Sequence, residues 1–315
     1  MRINLIKEEY LFADISYYLK TSIDLLIIGE FDIGELNLEE RRIFFYNEFK
    51  NTKTSILILN RKKGNILESR IITNNDEKKY KNNNISVVLP EILKENHIVQ
   101  KNILIDITSL DHVTIMTLIN ILINKVRPKK LFASYVSPLR YIGLEEDFSF
   151  TLTSELEGIM AIPGLAHIEK PSESVCVFLG FDGGRFQKII DSIKDTKYIY
   201  PIFALPLINP NWIKVSMWNS FDILKDHVYN SSVYKCSAES IFDALQLLEN
   251  ISDIAEKTVL VPLGTRPHTA SCAIFASMNR NTRIIYDYAI ETQKRSEGIS
   301  NIIIYNLTNI IHLER

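Results

Sequence analysis

Residues 102–113, NILIDITSLDHV, lie without a gap over residues 258–269, TVLVPLGTRPHT. Each copy is an apolar run, a short polar turn and the start of a second apolar run. An apolar run of this length that ends in a turn reads as a buried strand, and the longer apolar segment after it as a helix. His112 and His268 fall at the same point of the register, just past the turn. A second match precedes each copy in the same order. Residues 26–29, LIIG, pair with residues 177–180, VFLG, and Arg41 pairs with Arg185 if the first turn is longer. Phe45 and Phe49 then fall on Ile189 and Ile193. Two ordered matches point to an internal duplication. Two unrelated Rossmann-like halves would leave a similar trace, and either origin gives two lobes.

Working outward, strands are expected at residues 24–29, 54–60, 85–89, 103–107 and 131–136, with helices at 36–49 and 112–124. Residues 62–84, rich in Asn, Lys and Asp, read as an excursion with an edge strand at 66–73. Residues 155–174, with Pro163, Gly164 and Pro171, read as a connection. Beyond it, strands are expected at 174–179, 198–205, 259–263, 283–288 and 301–307. Helices fall at 186–193, 238–251 and 268–278, and 212–227 is irregular or helical. Strands alternating with helices at this spacing define an α/β fold of two similar Rossmann-like lobes with mostly parallel sheets. The lobes are expected at 1–150 and 151–315, the second including the connecting segment.

Composition narrows the function classes. A hydrophobic content of 46% with 23% charged residues is that of an ordinary globular chain. The formal net charge of −2 gives no reason to expect nucleic acid as a partner. No run reaches the roughly 18 apolar residues of a membrane span, so no membrane partner and a cytoplasmic location are expected. Cys176, Cys236 and Cys272 are odd in number and far apart, and read as small buried hydrophobes. They form no CxxC spacing, and His97, His167, His227 and His312 show no ligand spacing either, so no metal or cofactor is expected.

In open α/β sheets, ligands gather beyond the carboxyl ends of the strands, where helix N-termini attract anions. Four turns fall there, at residues 29–35, 108–111, 180–185 and 264–268. The last is richest: Gly264 permits close backbone approach, Thr265 offers a hydroxyl, and Arg266 could clamp a phosphate or carboxylate. Pro267 suits a first helical turn. His268 would sit in that turn, where the dipole favours its neutral ring. In residues 180–185, GFDGGR, Asp182 could meet a ribose hydroxyl or cap the helix, and Arg185 could meet an anion. Ser109 or Asp111 is expected to cap the helix that begins at His112. Residues 294–298, KRSEG, read as a polar loop able to reach a site or as a plain hairpin connection. Residues 39–42, EERR, read as a solvated helix face. No GxSxG elbow, HExxH motif or P-loop is present.

The strand, Thr- or Ser-bearing turn and apolar helix of residues 103–124 and 259–278 resemble the CARF-type Rossmann domains of prokaryotic immunity. In that family a Gly-Thr turn before a helix contacts nucleotide second messengers. Gly264-Thr265-Arg266 matches that turn in part, whereas Thr108-Ser109-Leu110 lacks the glycine. The resemblance implies a sensor or subunit of a bacterial defence or signalling system. Together these readings lead to an expected nucleotide or other phosphorylated-ligand site between two lobes. Gly264, Thr265, Arg266, His268, Asp182, Arg185 and His112 would line it, and a protein partner or a homodimer is left open. An enzyme transferring or hydrolysing a nucleotide group, with His268 as acid or base, is one alternative. A scaffold with a decayed ligand site is another.

Overall fold

The computed structural model describes residues 7–31, 39–62, 65–73, 76–144, 153–156, 158–166, 174–193, 198–205, 209–227, 232–252, 257–291 and 295–312. The expectations for residues 32–35 of the first turn, for His167 and for Lys294 lie outside them. The chain divides into two compact units. The first gathers the described residues up to 139 together with those from 296 onward, and the second the described residues of 140–295.

The chain begins with β1 (Glu9–Leu11), α1 (Phe12–Ser22), β2 (Leu25–Gly29), α2 (Glu40–Phe49), β3 (Ser55–Arg61), β4 (Ile66–Thr73) and β5 (Asp76–Asn84). It continues through α3 (Ile85–Glu95), β6 (Asn102–Asp106), α4 (His112–Ile121) and β7 (Lys130–Tyr141). The second unit follows with β8 (Thr153–Leu156), β9 (Met160–Ala166), β10 (Ser174–Phe178), α5 (Gly183–Ser192), β11 (Tyr198–Ala204) and α6 (Trp212–His227). After these come β12 (Tyr234–Cys236), α7 (Ile241–Ser252), β13 (Thr258–Pro262), α8 (Arg266–Met278), β14 (Thr282–Tyr286) and β15 (Ala289–Glu291). The last elements are β16 (Ser296–Asn306) and α9 (Thr308–Ile311).

The fold is mixed α/β with two large sheets. The first has the order β1-β16-β7-β6-β2-β3-β4-β5 and the second β12-β11-β10-β13-β14-β9. The second is parallel throughout except where β9 pairs antiparallel with β14. The first is parallel at its centre, where β2 pairs with β3 and β6, and β6 with β7. Antiparallel pairs flank that centre at β3–β4, β4–β5 and β1–β16. The expectation of mostly parallel sheets thus fits the second unit better than the first. A smaller ladder pairs β8 with β15.

Four expectations of the fold need correction. Residues 155–174 are more than a connection, because β9 lies within them and pairs with β14 at the edge of the second sheet. Residues 85–89 are helical, not a strand. Asn84 caps the helix by accepting from the Ser86 amide, and Ile85, Val88, Leu89, Ile92 and Leu93 are buried at helical spacing. A five-residue apolar run alone does not distinguish the two. Residues 66–73 are not an edge strand, because β5 pairs outside them; the polar excursion is largely the outer hairpin. The closing strand does not belong to the second lobe. It enters the first sheet between β1 and β7, pairing Ile304 with Tyr10. Ile304 and Tyr305 are fully buried, which ties this strand to the first unit's core.

The parallel centres have a common order. In the first sheet β7-β6-β2-β3 run side by side, and in the second β14-β13-β10-β11 do. The residues matched in sequence therefore occupy corresponding strands: 26–29 and 177–180 at the ends of β2 and β10, and 102–113 and 258–269 at β6–α4 and β13–α8. Each core follows from central strands buried on both faces and covered by helices. Leu26, Ile28, Phe45, Phe49, Ile56 and Ile58 pack in the first unit; Val175, Val177, Phe186, Ile189, Val259 and Val261 pack in the second. Helices α4 and α8 are buried all round, from His112 to Ile121 and from Arg266 to Ser277, their polar side chains included. Among the described residues no helix is long and apolar enough to cross a membrane.

Candidate functional site

In each sheet the chain runs outward from one strand in both directions. From β10 it passes to β11 and β12 on one side and, later, to β13 and β14 on the other. The neighbours β10 and β13 therefore mark the switch point of the second sheet, and β2 and β6 mark that of the first. The turns that leave their carboxyl ends are those singled out in the sequence.

Close approach of the paired turns explains two glycines. A side chain at Gly180 would bring its Cβ within 2.4 Å of the Leu263 carbonyl oxygen, and one at Gly29 within 2.1 Å of the Ser109 carbonyl oxygen. Real Cβ atoms do not tolerate such distances, so only glycine lets the adjacent turns meet.

The two helices that follow differ at their N-termini. In α4 the Asp111 carboxylate accepts from the amides of Val113 and Thr114 at 3.0 and 3.1 Å, and the Thr114 hydroxyl donates to it as well. The Arg61 guanidinium sits 2.7 Å away. An acid already occupies the place where an external anion would bind. In α8 the N-cap residue Thr265 makes no capping hydrogen bond from its side chain. Its hydroxyl instead donates to the Ala238 carbonyl at 2.7 Å. Gly264 and Thr265 are half-buried, and Arg266 is buried.

His268 is fully buried. Its Nε2 lies 2.8 Å from the Ser237 carbonyl oxygen, so that nitrogen carries the proton and donates. The Cys236 sulfur is 3.4 Å from the same atom, and the ring tilts against Phe178 at 4.8 Å. Burial pushes the imidazole pKa down to about 4, with the Ser237 contact opposing weakly, so the ring is neutral at physiological pH. Nδ1 then holds a buried lone pair, and among the described residues no donor reaches it. It faces Gly264, where a Cβ would stand only 2.7 Å away. The glycine is what allows this ring to close on the turn.

The remaining expected site residues have structural partners. Asp182 caps α5, accepting from the Arg185 amide at 3.2 Å. Arg185 forms a two-pronged pair with Asp287, its Nε 2.6 Å and its Nη2 2.7 Å from the two carboxylate oxygens, and it lies over the Tyr286 ring. Its charge is met within the protein. Arg41 is buried in a similar way in the first unit, bonded to Ser296 Oγ and the Val136 carbonyl and paired with Glu39. The expectation that residues 39–42 form a solvated face fails at Glu39 and Arg41 for that reason. Ser296 and Gly298 of the expected 294–298 loop belong to β16. His112 lies in the first unit, at the start of α4. The second unit thus brings together Gly264, Thr265, Arg266 and His268 on one turn and Asp182 and Arg185 on its neighbour.

Sequence reasoning missed Asp287 as the partner of Arg185, and Cys236 and Ser237 as the neighbours of His268. Asp287 is 102 positions from Arg185, and no local pattern links them. Burial raises the Cys236 thiol to about 12 and also pushes the Cys176 and Cys272 thiols upward, so none is a ready thiolate. Among the described residues no group of His, Cys, Asp and Glu is placed to hold a metal ion. No protein-family model and no curated protein matches this chain.

Proposed function

We propose that the chain is a nucleotide or phosphorylated-ligand binding protein whose anion-binding turn is Gly264–His268 of the second unit. The observation that carries this reading is the N-terminus of α8, which lies at a sheet switch point and lacks the side-chain cap that fills its counterpart in α4. The backbone N–H groups at the start of α8 meet the ligand's anionic group, and Arg266 is the cation nearest them in sequence. Asp182 and Arg185 shape the neighbouring turn through their own contacts rather than by neutralising the ligand.

A sensor role, with the bacterial defence setting implied by the CARF-type resemblance, draws support from α6. One face of this helix holds the Gly180 turn: Ser216 Oγ donates to the Gly180 carbonyl at 2.6 Å and the Asn219 amide to the Phe181 carbonyl at 2.7 Å. The opposite face leaves Met217, Trp218 and Phe221 53%, 72% and 63% exposed, an apolar surface suited to a protein partner. A helix that holds the turn beside the proposed ligand turn on one side and meets solvent on the other can relay occupancy. The enzyme alternative is disfavoured because His268 is closed off from solvent and its Nε2 proton is already donated.

A thermal-shift screen with inorganic phosphate, mononucleotides and cyclic oligonucleotides tests this reading. A ligand that binds only the folded state raises its stability by RT ln(1 + [L]/Kd). Stabilisation by a nucleotide, weakened in Arg266→Ala, is the expected result. Stabilisation by none of the phosphorylated compounds contradicts it.

A further inference from the structure

Three aromatic side chains from distant segments meet beside the Gly180 turn. Tyr141 ends β7, Phe181 lies between Gly180 and the Asp182 cap, and Trp212 opens α6. Their ring centroids are 4.8 Å apart for Tyr141–Trp212, 5.2 Å for Tyr141–Phe181 and 6.5 Å for Phe181–Trp212, all edge-on. Leu144 and Val215 complete the cluster. Trp212 is 3% exposed, whereas Tyr141 and Phe181 are half-buried.

Trp212 carries a second, independent signal. Its Nε1–H is buried and finds no acceptor among the described residues. A buried indole N–H almost always has a partner, because leaving the donor dry forfeits its hydration. A purely structural apolar cluster gains nothing from a nitrogen there. The cluster therefore offers two half-buried rings and a donor awaiting an acceptor. It stands on the turn whose Gly180 touches the Leu263 carbonyl, immediately before Gly264.

We infer that Phe181, Tyr141 and Trp212 form a subsite for the planar heteroaromatic part of the ligand, of nucleobase chemistry. This rests on the proposed anion site at Gly264–His268. The base stacks on the rings of Phe181 and Tyr141, and a ring nitrogen or carbonyl oxygen on its edge accepts from Trp212 Nε1. A sugar phosphate supplies the anion but neither the face nor the in-plane acceptor, so the subsite selects nucleotides over sugar phosphates.

Trp212 and Trp218 are the chain's two tryptophans, so Trp218→Phe leaves Trp212 as the single reporter. Titrating that variant with AMP, GMP, ribose 5-phosphate and inorganic phosphate is the test, with affinities also measured by calorimetry. The expected result is a change in Trp212 emission with a mononucleotide, and binding at least about tenfold tighter than ribose 5-phosphate. Trp212→Phe, which keeps the ring and removes the N–H, should shrink that preference to about threefold or less while ribose 5-phosphate affinity holds. Phe181→Leu provides the same comparison should Trp212→Phe fold poorly. Equal affinities for mononucleotides and ribose 5-phosphate would overturn the base subsite and leave the anion site standing. So would a preference that survives both variants. Binding of none of the four compounds would overturn both.

Discussion

The turns after β6 and β13 correspond in sequence and in sheet position, yet they finish their helices differently. At α4 the protein supplies its own anion: Asp111 accepts from two backbone amides and is held by Arg61. At α8 no side-chain cap is made, Thr265 turns its hydroxyl to Ala238, and a neutral histidine closes beneath a glycine. The physical chemistry of helix ends makes the first turn self-sufficient, and the proposed reading gives the second an external acceptor. The same local pattern is thus closed by a carboxylate in one unit and left without a side-chain cap in the other. One carboxylate separates the two outcomes.

The largest expected effect lies in the scaffold behind the receptive turn. Asp287→Ala strands the Arg185 guanidinium in a buried setting, and losing one member of such a pair costs about 3–5 kcal/mol. Urea unfolding should show this loss, with a smaller one for the Arg185→Met and Asp287→Leu double variant, which removes both charges. A double variant as unstable as the single would show that the pair itself, not the stranded charge, holds the turn.

Next in size is a pH effect specific to α8. His268 titrates near 6.5 when unfolded and near 4 when folded, so between those values the unfolded chain binds more protons. Its contribution is complete above pH 6.5 and is lost as the pH falls toward 4, by roughly 3 kcal/mol across the window. Replacing the residue in His268→Gln should flatten this part of the stability profile between pH 7 and 4.5. An unchanged slope would mean that the ring is not held neutral in the fold.

The smallest effects separate the two caps directly. Asp111→Ala should cost about 1–2 kcal/mol, the usual loss for an N-cap acid. Thr265→Val should cost roughly 1 kcal/mol, the value of a single neutral hydrogen bond to Ala238. Sulfate should narrow the gap between Asp111→Ala and wild type by occupying the vacated helix end, and should leave the gap between Thr265→Val and wild type unchanged. Equal rescue of both variants would erase the distinction between the turns.

Much of this was legible in the chain because it is local. Apolar runs that end in polar turns located β2, β6, β10 and β13, and the register of His112 and His268 matched the corresponding helices. Asp111 and Asp182 were readable as caps for the same reason. What escaped depends on distant partners. Nothing near Arg185 announces Asp287, so a free cation was expected where an ion pair stands. The return of β16 to the first sheet pairs Leu11 with Ile303, a register that no local pattern encodes. The residues 85–89 were misread because a short apolar run fits both periods until its Asn84 cap and the continuation at Ile92 and Leu93 are weighed. The aromatic cluster is assembled from three segments and carries no sequence signal beyond the scarcity of tryptophan.

The central claim concerns which helix end receives the ligand, and backbone amide NMR reads it directly. In a titration of isotope-labelled protein with the best-stabilising nucleotide, the amides of Gly264, Thr265, Arg266 and His268 should shift at low ligand ratios. Those of His112, Val113 and Thr114, where Asp111 already serves as acceptor, should stay in place. Shifts centred on α4, or shifts that spare the Gly264 turn altogether, would contradict the account.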